Sequence, residues 1–548
     1  MTKIENCKSC LPTENEVEEE ALSGVTFLGR VFKVARCERP VFTYMSIILF
    51  LVSYIYSVSR DMKDAIIIER LDPASIPYLK VLVVLPVNIC IVFSIQKILI
   101  NTSVSKVFSI MCVMFGIYFC LYGTVLMSFR HIFELNEFLI RDWFADDKMV
   151  FMGLQWTIAL ALPVNSWTSS LMYLSAEIWG TVVFQFLFFA LSNEIYTQKQ
   201  SLRFIPLFLV FGNVALIVSG FSMKFIKYVS EQGSYEFTLF FRKLVFVLMG
   251  ICSFVIYLIH RYFEDNIAHK PLFVTSEASY KQKTKSKIGF MEAMQTMASS
   301  RLVLAISFVV IAYSVSVNMV EASFKTCMSQ YALQKGAQAD FHVMGVQSDI
   351  QLAVGALSII LLLSSFPALI RDKGFLYVAF VPPIFCIFGM ASVFGMAALN
   401  NSARGNRTLL GFVSIGENLW LEQLLGAIIV TGFKILKYSA VDVSKEALSM
   451  RINPAYRARF KGIYDGVCGK LGKAIGSGIT NMQNVFYNSS DVRKAAISSL
   501  TIVTVITACW GFAVRYLAGK YDKSTHSNTD IDIDLINVDP MEKDADDL

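Results

Sequence analysis

The chain has 548 residues, 55% of them hydrophobic and 17% charged, with a mean hydropathy of +0.54. A soluble protein of this size is far more polar, and here the charges cluster between long apolar runs. A soluble enzyme or a nucleic-acid binder is therefore excluded, and a polytopic, all-α membrane protein is expected.

The first 40 residues read as an acidic tail containing "ENEVEEE" at 14–20, expected to be solvated. With no apolar h-region and no Arg-rich, acid-poor character, it does not read as a cleaved secretory or plastid-targeting signal. Val41–Ser59 then supplies a crossing without a charge; a hydrocarbon core of ~30 Å needs roughly 20 such residues. Further spans are expected near 76–96, 107–128, 166–194, 204–223, 241–261, 301–322, 345–370, 375–399, 417–445, 460–486 and 496–518, giving twelve. The segment 149–163 is apolar but ends at Pro163 and is too short to span, so it reads as an interfacial piece. Were it to cross, the count would be thirteen and the topology beyond it would invert. The organisation expected is an N-terminal tail (1–40), a six-helix half (41–262), a basic linker (263–300), a second six-helix half (301–518) and an acidic C-terminal tail (519–548).

Basic residues in the connecting loops set the orientation. "KQKTKSK" (281–287) and the group Arg451, Arg457, Arg459 and Lys461 fall on the same side as both termini. By the positive-inside rule that side is cytoplasmic. The basic stretch 224–243 argues the other way, but its charge is less dense.

Cysteine and histidine patterns point to no metal or cofactor. The eleven cysteines lie mostly in spans, as small packing residues, and "CKSC" (7–10) has no second pair to complete a zinc site. "GIYDGVCGKLGK" (462–473) misses phosphate-loop spacing. Its glycines, Gly462 and Gly466, then Gly472 and Gly476, recur every four residues, which suits close helix packing.

An internal repeat organises the rest. Tyr56–Asp64 ("YSVSRDMKD") aligns without gaps to Tyr313–Glu321 ("YSVSVNMVE"), each ending the first helix of its half. A fainter echo pairs "MYLSAE" (172–177) with "LKYSAVD" (436–442) in the fourth and tenth spans. Two parallel six-helix repeats are the plan of major-facilitator transporters, whose substrate sites lie between the halves.

Ionisable groups inside spans are costly, about 2.5–3.5 kcal/mol on insertion scales, and normally face a cavity or a partner. Four spans carry them on one helical face each, at spacings of three or four residues or, in the tenth, within a quarter turn of arc. The first has Arg60, Lys63 and Asp64; the fourth has Ser166, Ser170, Tyr173, Glu177 and Thr181. The seventh has Asn318, Glu321 and Lys325, and the tenth Lys434, Lys437 and Lys445, with Asp442 to the side. Each stripe has a plainer explanation: Glu177 as a helix-to-helix tie, Lys434 and Lys437 snorkelling to an interface, and Arg60 marking the membrane surface. Four charged faces together point instead to a water-accessible, cation-rich cavity suited to a polyanion, because lysines act as mobile point charges.

Long ordered blocks carry a resemblance. "SRDMKDAIIIERLDPASIPYLKVLVVLP" (59–86), "LSAEIWGTVVFQFLFFALSNEIYTQKQSLRFIPLFLVFGNVALIVSG" (174–220), "NMVEASFK" (318–325), "KYSAVDVSKEALSMRI" (437–452) and, more loosely, "KGIYDGVCGKLGK" (461–473) are similar to the ATP:ADP antiporters of plastids, obligate intracellular bacteria and microsporidia. The resemblance, over roughly 41–518, implies a major-facilitator-like twelve-helix fold. It implies ATP and ADP as transported substrates, with Lys63, Glu177, Glu321 and Lys445 important for transport. Asn193, Arg203, Lys325, Asp465, Lys470 and Lys473 match family positions less closely. Val443 and Ser444 stand where the family often has proline and threonine, a departure that bears on selectivity or coupling.

The expectation is a nucleotide exchanger in which Lys63 and Lys445, one from each half, grip phosphate, with Lys470 and Lys473 assisting. Glu177 and Glu321 would hold the lysines in the empty carrier or sense the amino edge of the base. The alternatives are proton-coupled net import and, from another class, a membrane receptor or scaffold. The surface membrane of an intracellular organism is the expected location, a mitochondrion-related organelle the alternative. The sequence leaves oligomeric state open.

Overall fold

The computed structural model describes residues 14–22, 34–145, 155–196, 198–233, 235–268, 299–336, 338–363, 374–404, 417–452, 464–527 and 529–531. Among them, twelve long helices carry the architecture. They are α1 (Arg39–Arg70), α2 (75–101), α3 (104–133), α4 (167–195), α5 (Gln198–Gln232), α6 (Tyr235–Phe263), α7 (Arg301–Gln334), α8 (Ala339–Leu363), α9 (Phe375–Arg404), α10 (419–450), α11 (464–486) and α12 (Ala496–Ser527). In hydrocarbon every backbone polar group must be satisfied internally, so apolar segments of this length fold as helices.

Among the described residues eleven helices are long and apolar enough to cross a membrane. α11 is the twelfth; its five glycines and two lysines dilute its apolar content, yet it lies between α7 and the start of α2. Its small residues allow close approach: a Cβ on Gly472 would lie 2.6 Å from that of Ser314, and one on Gly476 3.1 Å from the Val315 carbonyl. The segment before α4 forms only the short helix Ile158–Asn165 in its described part, too short to cross, and breaks at Ser166 (φ −90°, ψ 53°).

The two halves repeat one packing scheme. α1 packs on α4, α5 and α6 as α7 packs on α10, α11 and α12, and α3 packs on α6 as α9 does on α12. The halves meet through α5 on α8, α1 on α8, and α11 on residues 75–84 of α2.

Two expectations need correction. The tails are not wholly solvated. Glu14–Leu22 is a helix whose Val17 and Ala21 are buried with Ala35, and Ile531 is buried where its N–H donates 2.8 Å to the Arg451 carbonyl. The stretch 224–243 is no basic loop either, because helix continues to Gln232 and resumes at Tyr235. Three of its four cations are paired: Lys224 meets Asp349 at 2.5 Å, Lys227 meets Glu231 at 3.6 Å, and Arg242 pairs with Glu69 at 2.6 Å and with Asp340. The cluster 281–287, Arg457, Arg459, Lys461, Gly462 and "CKSC" lie outside the described residues.

Candidate substrate-binding site

The charged stretch of α1 lies two to three turns from its outer end, the end opposite the termini. Asp61, Lys63 and Asp64 are each less than 5% exposed; Asp61 and Asp64, three residues apart and so on one helical face, turn to the other half, and Lys63 turns to α4. Lys63 pairs with Glu177 of α4 and sits 3.9 Å from the centre of the Tyr173 ring. Asp64 pairs across the halves, its Oδ2 2.8 Å from Lys325 Nζ on α7. Asp61 is held by Arg60, at 3.4 Å, and by the amide of Gln351 on α8. Gln351 also accepts from Ser219 of α5, so one buried amide joins three helices from both halves.

Around these pairs stand more cations. Lys80, one turn into α2, donates to Asn318 Oδ1 of α7 at 2.5 Å, and Asn318 in turn donates to Ser477 of α11. Glu321 has no ion pair within 4 Å among the described residues; it lies within electrostatic reach of Lys434, Lys325, Lys80 and Lys473. Lys473 acts likewise on Glu177, and Lys434 on Asp61. The cluster thus draws on α1, α2, α4, α7, α10 and α11. Lys80 was not among the expected site residues. Its signal was an isolated lysine in "SIPYLKVLVV", which near a span's end reads equally as a snorkelling side chain.

Other expected residues lie elsewhere. Lys445 does not join Lys63. Its ammonium pairs with Asp442 at 3.0 Å, and its stem lines an apolar pocket within the C-terminal half with Ile306, Ala379, Trp510 and Leu517. Lys437 lies 5.3 Å from the ring centre of Tyr438. Arg203 is a clamp at the inner end, bonded twice to buried Glu38 at 2.8 and 3.1 Å. Lys470 is half-buried on α11, whereas Lys473, exposed on the same helix, belongs with the cluster through its reach to Glu321 and Glu177. Asn193 and Asp465 sit on α4 and α11, but their side chains are outside the described residues.

Several of these groups adjoin π-helical turns, at 80–84 in α2, 179–187 in α4, 437–441 in α10 and 464–468 in α11. Such turns loosen the backbone ladder and recur at functional sites.

The outer end is sealed. Arg242 bridges Glu69 and Asp340 across the halves, and Tyr78 reaches the Asn481 carbonyl at 3.5 Å. Asp72, in the turn before α2, is close to Ser490 of the other half. Burial raises its carboxyl above the ordinary value, against opposing bonds from the Ala74 N–H and Ser490. Buried polar networks brace each half there: Arg70 with Glu134 and Ser169, both at 2.6 Å, and Arg493 with Glu422 and Asp491, both at 3.2 Å. Toward the inner end the packing differs. α11 makes its main contact with residues 75–84 of α2, and the inner segments of α4 and α10 make their main contacts within their own halves among the described residues. The charged cluster therefore lies beneath an outer seal.

A cross-membrane helical bundle with a cation-rich centre is now matched by sequence comparison. A family model described as TLC ATP/ADP transporter covers residues 18–521. The chain belongs to that family. Its relatives include ADP,ATP carrier protein 1 of Encephalitozoon cuniculi, 34% identical over 96% of this chain and 94% of the relative. ADP,ATP carrier protein 1 of Rickettsia prowazekii is 24% identical over 91% of this chain and 96% of its own. Among solved structures a point mutant of the nucleoside transporter NupG superposes with a TM-score of 0.52 at 13% identity, covering 87% of this chain and 99% of its own. A bacterial homolog of the lysosomal transporter Spinster gives 0.50 at 12% identity, covering 89% and 98%. These neighbours establish the major-facilitator-like fold. The protein is a multi-pass membrane transporter of the ATP/ADP family and not an enzyme.

Proposed function

We infer that this transporter exchanges ATP for ADP by alternating access, with the nucleotide phosphates received among the lysines between the halves. The observation that carries the reading is the pair of ion pairs on adjacent α1 residues: Lys63 with Glu177 inside one half, Asp64 with Lys325 across to the other. A lysine already facing a carboxylate can exchange it for a phosphate oxygen without moving far, and such charge-assisted contacts are strong. Phosphate taking Lys325 from Asp64 would undo a tie between the halves and free them to rock. Binding thereby becomes differential between two states, the condition for a ligand to drive a conformational change.

Lys63, Lys325 and Glu321 act in this central cluster. Glu177 holds Lys63 in the empty carrier. Lys445 and Lys470 act nearer the inner mouth, where Lys445 would release Asp442 to meet a nucleotide. The relatives' names, as carriers of ADP and ATP, agree with this substrate class. The surface membrane of an intracellular organism, with both termini cytoplasmic and ATP taken from the host, is the setting we propose.

Uptake of radiolabelled ATP by intact cells expressing the chain, with and without preloaded ADP, tests the reading. Saturable uptake accelerated by internal ADP is expected. Uptake indifferent to ADP but abolished by a proton uncoupler would replace exchange with symport, and no uptake with protein in the membrane would remove the cargo assignment.

A further inference from the structure

The carboxylates of the central cluster are largely engaged by protein cations. Glu177 is taken by Lys63, Asp64 by Lys325, and Asp61 by Arg60 and the Gln351 amide. Glu321 remains, within reach of four lysines, Lys434, Lys325, Lys80 and Lys473. Three of those lysines, Lys80, Lys434 and Lys473, have no carboxylate within 4 Å among the described residues, and Lys80 bonds a neutral amide. They come from three helices and both halves, yet all act on the same glutamate.

This arrangement bears on the chemical form of the substrate. Where magnesium is abundant a nucleoside triphosphate is largely complexed with it, and a diphosphate less so. Protein sites for that complex supply one or two carboxylates to the ion beside the phosphates. Here a hydrated dication would arrive among ammonium groups, with a single carboxylate available and already surrounded by them. Among the described residues no three His, Cys, Asp or Glu side chains are placed to share a metal. Like charges a few ångströms apart in a partly desolvated site repel strongly.

We propose that the cleft takes its nucleotide as the metal-free polyanion, with Lys80, Lys434 and Lys473 supplying the positive charge that magnesium supplies in solution. The proposal rests on the exchange reading above and specifies the ionic species that it moves. It also gives Lys80 and Lys434 a role, since they receive phosphate charge that the paired lysines cannot fully neutralise.

The test is ATP uptake into ADP-loaded cells at constant total nucleotide, with external magnesium varied from fully chelated to large excess. The initial rate should follow free ATP and fall at least about tenfold as the complex takes over, the consequence of even a modest like-charge penalty. A rate that follows the magnesium complex, or total nucleotide regardless of magnesium, overturns the proposal. Lys80→Gln and Lys434→Gln should narrow the ratio of chelated to magnesium-saturated rates. If either variant fails to reach the membrane, the wild-type titration still decides. Absence of uptake at every magnesium level, with the protein in the membrane, overturns the exchange reading and this proposal with it, an outcome distinct from a rate set by the complex.

Discussion

At the scale of single residues, the ion pair between Asp64 and Lys325 is the contact whose removal is most informative. Both side chains are buried, and breaking a buried pair from one side leaves an uncompensated charge costing about 3–5 kcal/mol. Asp64→Asn and Lys325→Gln should each lower the melting temperature of the detergent-solubilised protein. The double variant should be less destabilised than the sum, with a coupling of about 1–3 kcal/mol. Additive losses would mean that the pair does not tie the halves. Lys63 and Lys445 should separate functionally as they do in space. Lys63→Gln removes the partner of Glu177 inside the cluster and should abolish uptake. Lys445→Gln, at a pocket within its own half and away from the cluster, should slow uptake less. Equal loss in both, at equal membrane abundance, would restore a shared phosphate grip.

At the scale of helices, stripes of three and four identified which groups face the interior wherever the helix is regular. Lys63 and Asp64 on α1 and Asn318, Glu321 and Lys325 on α7 converge as their spacing requires. The same rule misjudged α10. Lys434 and Lys445 share an arc only if every residue advances by the α-helical angle, and the π-helical turn 437–441 inserts a residue between them. The insertion rotates the residues beyond it by roughly 100°, one residue's turn, so Lys434 reaches the cluster and Lys445 turns into its own half. Sequence carries no visible mark of that turn. The glycine spacing of α11 was more legible, because small residues at every fourth position have few other uses in a span. Gly472→Leu should drive α11 off α7, since even a Cβ meets Ser314 and the Ile311 carbonyl. Overpacking of this kind costs typically about 1–3 kcal/mol, read as reduced folded protein on fluorescence-detected size exclusion. Gly478→Ala, where a Cβ meets nothing within 4 Å, should be silent.

At the scale of the whole molecule, the twofold repeat was readable because the first helix of each half ends in a similar nine-residue stretch, but the state of the carrier was not. Which end is sealed depends on contacts between residues far apart in the chain, such as Arg242 with Asp340 and Tyr78 with Asn481. An exchanger that works by rocking must break these contacts once per cycle, because substrate outside has no other route to the cluster. Cysteines at Arg242 and Asp340 test that requirement, in a background with Cys7, Cys10, Cys90 and Cys509 replaced by serine. A short bifunctional thiol reagent with a reducible spacer should then hold the outer end shut and stop ATP uptake, and reductant should restore it. The locked protein should still bind nucleotide offered to its inner face in inside-out vesicles, since the contacts that the cross-link fixes belong to the outer end. Unchanged uptake by a fully cross-linked carrier would mean that α6 and α8 stay together through the cycle, and that the outer path opens between other helices.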